Sequence, residues 1–205
     1  YGMPLIAEES YKRGAVDFSS QALNLRQADP THVVLLTVYR EAAAIMKEAH
    51  QAEWSPQFIG WVPCADDKTV ELAGEAAEGF LGLHIIDFQG ENEPMQLYHK
   101  LRTQHSSDTR PGLYHAASYG AAQLLVEGLQ RAGRELTREK LVEALETLDR
   151  WDGSVLPPFT YGPNLRGSLF TSAFITKADI QNKKLVRASD WLQFKQPTKM
   201  AQQGN

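Results

Sequence analysis

A serine within a helical run, six histidines and a single cysteine are the side chains of this 205-residue sequence that could carry catalysis. A hydrolase-type serine needs a strained strand-to-helix turn flanked by glycines. Ala117-Ser118-Tyr119 has neither glycine and lies inside a helix-like run. A zinc hydrolase needs two histidines at i and i+4 with a glutamate beside the first. His32, His50, His84, His99, His105 and His115 never take that spacing, and His84 sits in an apolar run as a core histidine would. Cys64 has no neighbouring cue that would lower its pKa, so its thiol reads as inert. No glycine-rich phosphate loop follows any apolar run. Catalytic residues, metal ligands and cofactors are therefore not expected, and neither is an enzyme.

What remains is binding chemistry, and its place follows from the elements. Pro4–Glu8, His32–Val38, Gln57–Val62 and Phe80–Ile86 are short apolar runs. Between them, Asp17–Gln27, Glu41–Glu53 and Thr69–Glu78 carry apolar residues at helical spacing. Strands alternating with helices of this length predict an α/β fold with a parallel sheet. Such sheets take ligands at the carboxyl ends of their strands. That rule singles out Tyr39, Arg40 and Glu41 after the second run, and Trp61, Val62, Pro63 and Cys64 after the third. His32–Val38, apolar throughout, is expected to be a central strand buried on both faces. Asp17 or Ser19 should cap the first helix. Asp66 and Asp67 open another, with their charge at its positive end.

After Ile86 the texture changes. Asp87–Pro94 is a polar connection, Glu93–Gln104 a helix and Ser106–Pro111 a loop. Tyr114–Ala132 is a long helix rich in small residues, with Gly133 placed to cap it. Thr137–Asp149 is amphipathic, and Thr137 can cap it alone. Leu169–Thr176 and Lys184–Trp191 alternate as a hairpin would, and Lys195–Asn205 is a polar tail that should fray. The helices at 114–132 and 137–149 have apolar faces but no strands near them in sequence, so they need a sheet from elsewhere. Net charge is −4 with no Lys/Arg cluster, which argues against nucleic acid. No apolar run is long enough to span a bilayer. One cysteine excludes an internal disulfide. The opening Tyr1-Gly2-Met3-Pro4 has no initiator Met or signal segment, and the chain is expected to begin inside a domain.

Several segments together resemble the branched-chain amino-acid class of ABC-importer substrate-binding proteins, the leucine/isoleucine/valine-binding type with the type I periplasmic-binding fold. The matching residues are Gly14–Ser19 (GAVDFS), the strand ending in Tyr39, Phe58-Ile59-Gly60 and Leu72–Gly79 (LAGEAAEG). They continue with Tyr114–Ala122 (YHAASYGAA), Arg131-Ala132-Gly133 and, more loosely, Tyr161–Gly167 (YGPNLRG). Their order covers nearly the whole chain, and the similarity is to the C-terminal part of such a protein.

The resemblance implies a two-lobe clamshell, of which this chain holds most of the second lobe and the returning helices of the first. Residues 1 to about 86 would be second-lobe strand–helix units. Residues 87–168 would cross to first-lobe helices, and 169–205 would return to the second lobe. The groups that grip a ligand carboxylate would lie before Tyr1. The implied role is extracytoplasmic, periplasmic or lipid-anchored: a small ligand, a branched-chain or aromatic acid or an amino acid, is held between lobes and passed to a membrane permease. A ligand-sensing receptor domain of the same fold is the first alternative, and an α/β enzyme the second. Tyr39 would line the cleft, and Tyr114 would reach the ligand from the first lobe. Arg40 could hold a second carboxylate bidentately. Where the family's amino-acid binders place a glutamate against the ligand ammonium, this sequence has Val62. Either Asp66 or Asp67 substitutes from further along the loop, or the ligand carries no amine. The apolar wall of Trp61 and Val62 favours the second, since a buried ammonium without a partner is costly.

Overall fold

Three of the four expected N-terminal strands form, and the reason the other does not lies in strand pairing. The structure, a computed structural model, describes residues 4–105, 112–158, 160–163 and 172–194. By internal packing the chain divides into two compact units, Tyr1–His84 with Phe174–Asp190, and Ile85–Ala173 with Trp191–Asn205.

The first unit holds α1 (Ser19–Ala28), β1 (His32–Leu35), α2 (Tyr39–Gln51), β2 (Gln57–Gly60), α3 (Asp67–Ala73) and β3 (Leu81–His84). β1, β2 and β3 are parallel neighbours, with Val33 opposite Phe58 and Gly60 opposite Gly82. β4 (Ser172–Asp179) then lies antiparallel to β3, and β5 (Lys184–Arg187) antiparallel to β4. The sheet is thus mixed, in the order β1-β2-β3-β4-β5. α2 buries Ala42, Ile45, Met46 and Ala49, an apolar stripe at helical spacing, in a core with Val33, Leu35, Phe58, Val70 and Phe80. The expected hairpin is β4 with β5, although residues 169–171 of its first strand, like the tail 195–205, lie outside the described residues.

Two expectations fail at the sheet edge. β1 is an edge strand among the described residues rather than a central one. It alternates, with Val33 and Leu35 buried and Val34 and Leu36 61% and 68% exposed. Pro4–Glu8 forms no strand, and Leu5 and Ile6 stand in solvent. A strand is a pairing, not a local conformation. Without a ladder partner an apolar run leaves its backbone N–H and C=O groups to water.

In the second unit α4 (Glu93–His105) and α5 (Leu113–Ala132) share a buried cluster of Ile86, Met95, Tyr98, Ala116 and Val155, and α6 (Arg138–Leu145) packs on α5. The short β6 (Leu192–Gln193) pairs with the start of β4. The small residues of α5 have a local use. A Cβ on Gly128 would come within 2.7 Å of Leu145 on α6, so glycine sets how closely the two helices approach. Gly133 ends α5 at φ +76°, and Thr137 caps α6 by accepting from the Lys140 N–H at 3.1 Å. Leu125, Val126 and Val142 remain exposed. Among the described residues no helix is long and apolar enough to cross a membrane.

Candidate functional site

The loops that leave β1 and β2 are bound to each other through side chains. Trp61, directly after β2, donates its indole N–H to the Thr37 carbonyl at 2.6 Å. Its ring is 44% exposed, so it does not enter the core. Val62 starts a single 3-10 turn, Val62–Cys64, and is half-buried. Cys64 closes the turn from beneath, its thiol placed to donate to the carbonyls of Leu35 and Trp61, each at 3.3 Å. Thr69 on α3 in turn donates to the Cys64 carbonyl at 2.6 Å. Burial pushes the Cys64 thiol up to about 11, so it stays protonated and unreactive at neutral pH. The turn sits this close because β2 ends in glycine. A Cβ on Gly60 would lie 2.6 Å from the Phe80 ring and 2.8 Å from Cys64 Sγ.

Tyr39 is the first residue of α2, beyond the end of β1, and is half-buried. The Arg40 guanidinium lies 5.9 Å from the centre of its ring. Tyr39, Trp61, Val62 and Asp66 all fall in the first unit, on the segments that follow β1 and β2. Tyr114 is on the second residue of α5, in the second unit, and is 63% exposed. Asp66 and Asp67 both have structural duties. Asp66 accepts from the Lys68 N–H at 2.8 Å as the cap of α3, and Asp67 accepts from the Leu185 N–H at 2.7 Å, joining α3 to β5. Ser118 lies within α5, on a helix, where no nucleophile elbow can form. His84 is half-buried and stacks on Phe174, its cross-strand partner, at 5.6 Å between ring centres. Among the described residues no three His, Cys, Asp or Glu side chains cluster as a metal site would require.

Tyr11 escaped the sequence reading, and Glu41, singled out there by its position after the second apolar run, proves to be buried. Glu41, in the first turn of α2, is 8% exposed, and its Oε2 has no hydrogen-bond partner. Tyr11 packs edge-on against Phe18 at 5.4 Å, and its hydroxyl pKa is raised by burial first and by the Glu41 charge second. The signal for Tyr11 was available: it follows the apolar run Pro4–Glu8 as Tyr39 follows His32–Val38. Together these groups offer aromatic faces, apolar walls and fixed backbone dipoles.

The comparisons decide the family. A model of the periplasmic binding protein family matches residues 1–184. The chain belongs to that family. A curated relative, the leucine-, isoleucine-, valine-, threonine- and alanine-binding protein of Pseudomonas aeruginosa, is 24% identical over 144 residues, 70% of this chain and 38% of its own length. The leucine-binding protein of Thermotoga maritima matches 87% of this chain and 49% of its own, with TM-score 0.73 at 20% identity. An extracellular ligand-binding receptor of Rhodopseudomonas palustris matches 92% and 56%, with TM-score 0.79 at 20% identity. The periplasmic binding protein chain described here therefore has the type I α/β fold that the resemblance implied, and it spans about half the length of these relatives or less.

Proposed function

We propose that this chain is part of an extracytoplasmic solute-binding protein that captures a small carboxylate or amino-acid-like ligand and delivers it to the membrane permease of an ABC importer. The observation that carries this reading is the half-exposed indole of Trp61, held to Thr37 on the segments that follow β1 and β2. With Tyr39 and Val62, it offers flat and apolar surface, and the buried Cys64 thiol adds no nucleophile. Such surface rewards a ligand with an aromatic or branched apolar part. The contact implied for Tyr114 belongs to the same proposal.

The ligand we favour lacks an α-amine. Val62 cannot pair with an ammonium, and Asp66 and Asp67 are each engaged with a backbone N–H. A thermal-shift panel on the full-length protein tests this, because a ligand that binds only the folded state raises its melting temperature. Branched-chain keto acids and aromatic acids should shift it more than leucine, isoleucine or valine. Strong shifts with the amino acids and none with the acids would overturn the ligand class. No shift with either set would count against the binding role. A sensing role is the second reading, favoured by the likeness to the Rhodopseudomonas palustris ligand-binding receptor. An output domain fused in the full-length protein would decide for it.

A further inference from the structure

The start of α5 is left open. Its N-cap, Gly112, has no side chain to offer, and the first turn carries no acid. The first intrahelical bond runs from the Ala116 N–H to the Gly112 carbonyl at 3.1 Å. The N–H groups of Leu113, Tyr114 and His115 come before it, and among the described residues none accepts from them. They stand at the positive end of a 20-residue helix. Leu113 is half-buried and Tyr114 and His115 are exposed, so a small anion can reach this turn.

A buried hydroxyl lies against the same turn. Tyr98 of α4 is 4% exposed and shares its cluster with Ala116, with Leu113 packed on it. Its oxygen has no hydrogen-bond partner. A buried O–H left unpaired costs the fold the desolvation of that group. Burial raises the Tyr98 pKa, and the Arg102 guanidinium and the Gly112 backbone, both near the oxygen, offset part of that rise. The hydroxyl therefore stays a neutral donor at physiological pH, directed at the N-cap of α5.

We propose that the start of α5 is an oxyanion seat, in which the N–H groups of Leu113, Tyr114 and His115 and the hydroxyl of Tyr98 donate to a carboxylate. Free N–H groups and the helix dipole together hold anions at such ends. The hydroxyl supplies what a bare helix end lacks: a fixed donor on the apolar side, where a hydrogen bond is stronger than in water. Ile86, Met95 and Val155 make that side dry. The seat gives the proposed function a carboxylate grip within this chain, where the resemblance sought one before Tyr1. It rests on that reading for the source of the anion, the ligand's own carboxylate. A free inorganic anion is the other source of the same chemistry.

Two substitutions in the full-length protein test the seat, read by calorimetric titration and by melting temperature. The probes are the keto acid of leucine and benzoate, then acetate and inorganic phosphate. Tyr98→Phe removes the hydroxyl and keeps the ring. Its ligand-free melting temperature should hold or rise, because an unpaired buried O–H is lost, while anion affinity falls roughly tenfold or more. Gly112→Asp supplies a carboxylate from the chain itself. The backbone there is extended, φ −138° and ψ 155°, as an N-cap requires. This variant should melt higher than wild type and bind none of the probes. Organic acids that bind wild type and lose affinity in both variants assign the seat to the ligand. Binding of acetate and phosphate alone, lost in both variants, keeps the seat and removes the ligand reading. Organic acids that bind wild type and both variants alike would overturn the seat and leave the proposed function standing. So would a Tyr98→Phe protein that melts lower with unchanged affinity, since the hydroxyl then serves the fold alone. A wild type that binds none of the four probes would overturn it as well.

Discussion

The Trp61 indole N–H donates to the Thr37 carbonyl across 24 residues of sequence, and this bond helps tie the segment after β2 to the segment after β1. It fixes one edge of the indole while the residue stays 44% exposed. Replacing Trp61 with Phe keeps an aromatic ring and removes the donor. The fold should lose about 0.5–1.5 kcal/mol, the usual worth of such a bond. Chemical denaturation of the full-length protein measures it. Unchanged stability would mean that the loop is held without this bond.

Tyr39 precedes the buried face of α2 and is itself half-buried. In the full-length protein, Tyr39→Ala should weaken ligand binding by roughly 1–3 kcal/mol while leaving the ligand-free melting temperature nearly unchanged. Calorimetric titration with the strongest ligand of the thermal-shift panel gives the answer. Equal affinity would reduce Tyr39 to a helix-start residue.

Cys64 sets an alkaline limit. Its thiol pKa rises from 9.0 to about 11 on burial. Between those values the unfolded chain gives up this proton and the folded chain keeps it. The stability Cys64 contributes is thus complete below about pH 9 and is lost as pH climbs towards 11. Cys64→Ser should flatten that part of the stability curve. The native thiol should also resist alkylation at pH 8 and react freely in denaturant. Fast native alkylation would contradict the burial.

Gly60 should tolerate no side chain. The added methyl of Gly60→Ala meets the Phe80 ring and Cys64 Sγ, both fully buried. A cost of about 1–3 kcal/mol follows from overpacking. A melting temperature equal to wild type would show that the turn at 62–64 can retreat at no cost.

How far the sequence could be read depended on the range of the interaction. The run from β1 to β3 was legible because its apolar periods are local, and so were the helix start at Asp66 and the cap at Thr137, whose bonds reach two and three residues. Neither candidate cap of α1 takes that place: the N-cap is Phe18, without a side-chain cap bond, while Asp17 accepts from the N–H and the hydroxyl of Ser19. Those donors hold its carboxyl below the usual range. Pro4–Glu8 misled because its composition says nothing about a neighbour to pair with. The candidate site was legible as positions: Tyr39 and Trp61 fall after strands. The tether from Trp61 to Thr37, the structural engagement of Asp67 by Leu185 and the buried Glu41 carboxylate beside Tyr11 were not. Each depends on segments brought together by the fold, and no periodicity records that.

The antiparallel partner of β3 comes late in the chain. Thr176 on β4 donates to the carbonyl of Gly82 on β3, 94 residues earlier. On a ribosome adding 5–20 residues per second, β3 is made roughly 5 to 20 seconds before the strand that covers its edge. For that interval the nascent sheet carries a row of open hydrogen-bonding groups, and whatever attends the growing chain must keep that edge from pairing with another.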